Sequence, residues 1–215
     1  MIYSPKNYDH LLGIPGFSDQ LLKNHFTLYQ GYVSNTNKLA DVLREMAEAG
    51  KIGTPEYAEL KRRFGWEFNG MRLHELYFGN MRYANSAPPA GASGNVHPVR
   101  DISNGAGAPM RIDPALYKKI VADFGSYEAW EKDFKGTGAM RGIGWTILYR
   151  DSIPGKLFNV WVNEHDMGHL AGCQPLLVLD VFEHAYMLDY GLKRADYIEA
   201  FFKAIDWEEV DRRFQ

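Results

Sequence analysis

The fold of this chain is decided by the stretch DVFEHAY, residues 180–186, which overlaps the end of an apolar run at 176–181. An aspartate at the end of a strand most often forms a turn or a cap. Here a histidine stands four residues after the aspartate, and the apolar residues before the pair would draw both side chains toward the core. The pattern therefore favours an inward-facing pair, Asp180 and His184, over a simple turn.

Two further histidines, His25 and His74, lie inside helical patterns with leucine and tyrosine neighbours. A lone histidine on an apolar helix face is more often a hydrogen-bonded core residue than a ligand. Two of them on facing helices of one hairpin favour a metal site, because sites in helical bundles are built that way. With Asp180 and His184 they make three imidazoles and one carboxylate, a donor set suited to iron or manganese. On composition alone, a non-haem iron oxygenase with two histidines and one carboxylate fits nearly as well.

The N-terminal part of the chain carries two helical patterns. The first runs over residues 18–50, from a capping serine to a terminal glycine. The second runs over residues 54–81 and begins with a capping threonine and a proline. Gly65 and Gly70 lie inside it and argue against one unbroken helix. The short connection predicts an antiparallel helical hairpin, which forms an N-terminal domain over residues 1–83.

The rest of the chain differs in composition. Residues 84–112 are rich in proline, glycine and small side chains, which is typical of a linker. Two helices are predicted next, then strands at 145–149 and 157–162 joined by a proline-glycine turn. The run 176–181 completes a three-stranded antiparallel sheet, and two helices follow it. The sequence therefore predicts an α+β protein, with a C-terminal domain of helices and sheet over residues 113–215.

The overall composition excludes several classes of function. The chain has 215 residues, 46% of them hydrophobic, and a formal net charge of −3. That charge offers no basic surface for nucleic acid or a membrane, and no apolar run is long enough to span one. The single cysteine, Cys173, excludes an intramolecular disulfide and a cysteine-rich metal site. The first ten residues lack the apolar segment of a signal peptide, so we expect a cytoplasmic protein.

Several motifs resemble the iron/manganese superoxide dismutases. The resemblance covers nearly the whole chain apart from the linker and about the first 15 residues. The motifs that carry it are a long C-terminal signature, a G-x-G-W segment and two histidine-bearing helices, found at residues 180–186, 193–197, 205–207, 142–145, 24–35 and 74–78. It implies an enzyme that dismutes superoxide with one iron or manganese ion per chain. The ligands implied are the same four residues that the spacing suggests: His25, His74, Asp180 and His184.

The resemblance also assigns roles around the metal. A water or hydroxide would be the fifth ligand, oriented by Asp180, and Tyr32 would link it to bulk water. His165 would stand where the family commonly has glutamine and would tune this solvent molecule. Glu183 would reach across a dimer interface to the partner subunit's His184, so we expect a homodimer or a higher homo-oligomer. The residues alone allow simpler interpretations. Tyr32 would then be one more aromatic residue in a helix–helix interface, and Glu183 a solvated glutamate. For His165, an exposed loop position fits equally well.

The chain departs from the family pattern near its first ligand. The interval from His25 to Tyr32 is one residue shorter than usual, and the common histidine within it is absent, so Tyr29 could occupy the gateway instead. With Gly70 one turn before His74, the hydrogen bond to the solvent ligand would come from position 165, an arrangement that the family associates with manganese or mixed metal use. Histidine rather than glutamine at position 165 weakens that inference, so iron and manganese both stay open. Two other classes also remain: a non-haem iron oxygenase, and a dismutase-like metal-binding protein without activity.

Overall fold

The structure is a computed structural model that describes residues 2–83 and 112–215 of the chain. All but the last residue of the predicted linker, 84–112, lies outside these ranges. Within them, none of the helices is both long and apolar enough to traverse a lipid bilayer. Two long helices come first, and an antiparallel sheet lies between shorter helices after them. The predicted α+β class is confirmed.

The N-terminal part is a hairpin of α1, Asp19–Glu48, and α2, Pro55–Gly79. Both helices begin at the predicted caps, where the hydroxyls of Ser18 and Thr54 accept backbone N–H groups. α2 continues through its two interior glycines, so the second pattern forms one unbroken helix. Packing against α1 supplies more stability to a helix of this length than two glycines remove.

The sheet consists of β1, Gly144–Asp151, β2, Leu157–Asn163, and β3, Cys173–Asp180. The strands are antiparallel in the order β2-β1-β3, so the predicted three-stranded sheet is confirmed. The register places Trp145, near the start of β1, directly opposite Asp180 at the end of β3. The end of β3 is therefore paired with the central strand of the sheet, and this pairing holds the aspartate in place.

The third strand begins earlier than the predicted run 176–181. Pro175 lies within β3 and removes one backbone donor, and the pairing with β1 shifts between Leu148 and Tyr149 at that point. Proline is tolerated because β3 is an edge strand of the sheet. Because proline is rare inside strands, the sequence pattern placed the start of the strand after Pro175.

The two parts of the chain share one core. Tyr77 on α2 stacks on Phe201, with ring centroids 5.7 Å apart. Arg213 is buried and donates hydrogen bonds to the carbonyls of Leu76 and Leu176, which ties the last helix to α2 and β3. The remaining helices are α3 Pro114–Phe124, α4 Tyr127–Gly138, α5 Met187–Tyr190, α6 Arg194–Ala204 and α7 Trp207–Phe214. A site that draws on both parts is therefore held rigidly.

Candidate metal centre

The four histidine and aspartate side chains singled out from the sequence lie together. His25 is on α1, His74 on α2, Asp180 at the end of β3, and His184 in the 3-10 turn that follows. Their potential ligand atoms all lie within 4.8 Å of one another. The first three residues are buried, and the His184 side chain is 28% exposed. Three imidazoles and one carboxylate thus converge from two helices, one strand and the 3-10 turn after it.

Asp180 stands at the middle of the group. Its Oδ2 atom lies 3.1 Å from Nε2 of His25, 3.1 Å from Nε2 of His184 and 3.6 Å from Nε2 of His74. Its Oδ1 atom accepts the backbone N–H of Phe182 at 2.9 Å. The aspartate therefore forms the local turn that its position favours and at the same time aims its second oxygen at the three imidazoles.

The protonation of His74 follows from its hydrogen bond on α2. Its Nδ1 atom lies 2.6 Å from the carbonyl oxygen of Gly70. A carbonyl only accepts, so Nδ1 carries the proton and Nε2 of the neutral ring has a free lone pair. That Nε2 atom is buried and has no hydrogen-bond partner among the described residues. An unpaired buried nitrogen is costly unless something binds it, and a metal ion would do so.

Burial keeps the ring nitrogens available to a metal. Desolvation lowers the pKa of His25 despite its hydrogen bond with Asp180. Desolvation, aided by repulsion from His25, takes the pKa of His74 well below its usual value. Both imidazoles are therefore neutral near pH 7, which is the form that binds metals. The donor set suits one iron or manganese ion.

A second pair of side chains adjoins the four. His165 is fully buried, so its interpretation as an exposed loop residue is wrong. Its Nδ1 atom lies 3.1 Å from the indole N–H of Trp145, and its Nε2 atom lies 2.8 Å from the hydroxyl oxygen of Tyr32. Because the indole can only donate, Nδ1 must be bare. Burial lowers the pKa of His165 to about 4, so the neutral ring carries its proton on Nε2 and donates it to Tyr32.

Aromatic rings surround the group. Trp145 lies edge-on to His74, with centroids 5.0 Å apart, and forms a wall of the site. Phe182 stacks on His165 at 4.8 Å and on His184 at 5.1 Å. Trp161 packs beside Gly142. Only the three-dimensional position of Phe182 shows that it bridges the two histidines.

The structure also places the remaining candidates. Tyr29 is fully buried, and its hydroxyl donates to Oε1 of Glu75 at 3.0 Å and accepts from the backbone N–H of Lys6. The suggestion that Tyr29 occupies the gateway is therefore wrong, because it does not reach the surface. Glu183 is exposed on the described chain, beside His184.

Gly70 provides the space for Tyr32. A methyl group at this position would lie 2.6 Å from Cδ1 and 2.7 Å from Cε1 of the Tyr32 ring. We expect Gly70→Ala to displace the ring and break its hydrogen bond with His165. The chemical shifts of the His165 ring in the metal-free protein measure this. Gly65→Ala is the matched control, because α2 has open space there; equal shifts in the two variants would contradict the prediction.

The fold and the site define a class of protein: a mononuclear metalloprotein with three imidazoles and one carboxylate, held between a helical hairpin and an antiparallel sheet. A profile described as "Iron/manganese superoxide dismutases, C-terminal domain" matches residues 112–213. The chain belongs to the family of iron/manganese superoxide dismutases and is an enzyme of that type.

Relatives that cover nearly the whole chain support this membership. Manganese superoxide dismutase 2 of Haloferax volcanii is 37% identical over 212 residues, which are 98% of this chain and 92% of that protein. An iron superoxide dismutase of Aquifex pyrophilus is 34% identical over 216 residues, 98% and 90% of the two chains. An iron superoxide dismutase of Sulfolobus acidocaldarius is 31% identical over 205 residues, which are 94% of this chain and 87% of that protein. Relatives of both metal types therefore match to similar extents.

Proposed function

We propose that this chain dismutes superoxide at one iron or manganese ion held by His25, His74, Asp180 and His184. The observation that carries the proposal is the bare, buried Nε2 atom of His74, which faces the Asp180 carboxylate 3.6 Å away. A metal ion there would supply a one-electron redox couple, with which two superoxide anions and two protons become oxygen and hydrogen peroxide. The relatives named as dismutases support this reaction over that of a non-haem oxygenase or an inactive metal-binding protein.

Peroxide formation needs protons, and we assign their delivery to Tyr32 with His165. Since Nε2–H of His165 donates to the Tyr32 oxygen, the tyrosine keeps its own hydroxyl proton for another acceptor. Burial and the nearby Asp180 carboxylate raise the pKa of Tyr32, so the phenol stays protonated near pH 7. Its ring stacks on His74, with centroids 5.2 Å apart, and it is partly exposed. Tyr32 thus lies between the ligand group and solvent, where it can release and regain a proton.

The rate of superoxide decay per mole of metal tests this function. The protein is loaded separately with iron and with manganese, and decay is followed by pulse radiolysis. We expect catalytic decay with at least one of the two ions, and the comparison identifies the working metal. Stoichiometric metal binding without turnover for either ion would contradict dismutation and leave a dismutase scaffold with another role.

We further propose that the enzyme is a homodimer or a higher homo-oligomer in which Glu183 hydrogen-bonds the partner subunit's His184. The exposure of Glu183 and the partial exposure of His184 support this, because both are accessible to a second chain. Partners that orient a ligating imidazole are typically worth about 10- to 100-fold in metal affinity. We therefore expect Glu183→Ala to weaken both the dimer and metal retention about tenfold or more.

Sedimentation velocity and metal content check the dimer proposal. Glu45→Ala, which removes an exposed glutamate from α1, is the control. It should sediment as the parent protein does and keep the same metal content. A Glu183→Ala protein that stays dimeric, with its metal and rate intact, would show that this glutamate has no such role.

We propose that the chain has two domains, residues 1–83 and 113–215, joined by the linker 84–112. Each domain would supply two of the four metal ligands.

We also propose that this is a cytoplasmic antioxidant protein, because a single free cysteine suits a reducing compartment.

A further inference from the structure

Trp66 on α2 forms a wall on the outer side of the His165–Tyr32 pair. Its ring lies edge-on to His165, with centroids 4.6 Å apart, and 5.6 Å from the ring of Tyr32. Its indole N–H donates to Oε2 of Glu164 at 3.1 Å. Trp66 and Glu164 also line an open surface cleft. The indole therefore stands between this cleft and the proton-bearing pair.

Glu164 reaches Trp66 because of an unusual backbone conformation. Its φ angle is 49°, the only positive φ of a non-glycine residue in the described ranges. A glutamate in this left-handed region is disfavoured without local compensation. The turn sends the two neighbouring side chains apart: His165 points into the core, and Glu164 lies over α2 against Trp66. The backbone N–H of Glu164 donates to the carbonyl of Ile143, which holds the turn.

Arg63 restrains the same indole from its face. The guanidinium carbon lies 3.9 Å from the centroid of a Trp66 ring, in the range of a cation–π contact. The guanidinium is itself held by an ion pair of 2.8 Å with Glu67, whose side chain is 6% exposed. Trp66 is thus restrained through both its N–H group and its ring face.

We infer that Glu164 is a positioning residue that holds Trp66 against His165 and limits the access of water to the hydrogen bond between His165 and Tyr32. The inference rests on the proposed function, in which that pair supplies protons. Water admitted beside His165 would compete for its Nε2–H group and alter the position of the Tyr32 hydroxyl. The structure thus assigns a role to a carboxylate that touches neither the metal ligands nor Tyr32.

The test compares Glu164→Ala with Glu164→Gln, which keeps an oxygen that can accept the indole N–H. Both variants have a Cβ atom, so the backbone conformation disfavours them similarly. The first readout is the NMR signals of the His165 ring in metal-free protein, which report the edge contact with Trp66. We expect these signals to shift in Glu164→Ala and to return to the parent positions in Glu164→Gln. Glu59→Gln, at an exposed carboxylate of the same cleft, should leave them unchanged.

The second readout is a double-mutant cycle of Glu164→Ala with Trp66→Phe, which removes the indole N–H. We expect each single variant to lower the dismutation rate about threefold, and the double variant to lose no more than either one. Unshifted His165 signals in Glu164→Ala, additive losses in the cycle, or equal shifts in Glu59→Gln would each overturn the inference. The NMR arm uses no metal and no superoxide. An inactive parent protein would therefore refute the proposed function while the position of Trp66 is still decided.

Discussion

Replacing His74 by alanine is expected to remove the bound metal and with it the dismutation of superoxide. The Nε2 atom of this histidine is buried and has no partner among the described residues, so a metal ion is what it would bind. Loss of groups that merely orient ligands weakens metal binding about 10- to 100-fold, and loss of a ligand itself should exceed this range. We expect metal affinity to fall more than about 100-fold and the rate to fall with it. Metal content after dialysis and pulse radiolysis measure the two effects.

Two further variants make this result specific. His74→Gln keeps most of the side-chain volume in the core and should also lose the metal, so a folding defect of the alanine variant cannot account for both outcomes. His10→Ala makes the same substitution at an exposed histidine and should keep metal and activity. An unchanged metal content in His74→Ala would overturn the ligand assignment.

Gly144→Ala is expected to have the largest effect on folding. The φ angle of Gly144 is 144°, in the region that favours glycine, and a methyl group there would lie 2.0 Å from the carbonyl oxygen of Val162. That oxygen belongs to the neighbouring strand and cannot rotate away. The clash and the backbone conformation together should lower the free energy of unfolding by about 3 kcal/mol or more. Denaturant unfolding of the metal-free protein measures it.

Gly136→Ala provides the comparison for this prediction. Gly136 lies on the exposed side of α4, and a methyl group there meets nothing within 4 Å. Alanine in a helix interior is favoured over glycine by roughly 1 kcal/mol, so this variant should be slightly more stable than the parent. A Gly144→Ala protein as stable as Gly136→Ala would contradict the clash predicted at Gly144.

Local patterns in the sequence predicted the secondary structure well where capping residues or alternating strands marked it. Ser18 and Thr54 cap the two long helices as expected, and the strands of the hairpin lie where their β-branched and aromatic runs predicted them. The pattern was a weaker guide where tertiary packing outweighed local preference. α2 continues through Gly70, which leaves room for Tyr32, and β3 begins before the predicted run because Pro175 is tolerated at the sheet edge.

The sequence by itself determined the donor chemistry of this protein: three histidines and one aspartate, with no cysteine ligands available, in helix and strand contexts that allow them to converge. It could not show the contacts made between elements far apart in the chain. The proton of His165 lies on Nε2 because Trp145 of β1 donates to Nδ1, and the hydroxyl of the buried Tyr29 donates to Glu75 of α2. The contact of Glu164 with Trp66 joins residues 98 positions apart. Spacing reports which side chains share one element, and only tertiary packing decides which side chains of different elements meet.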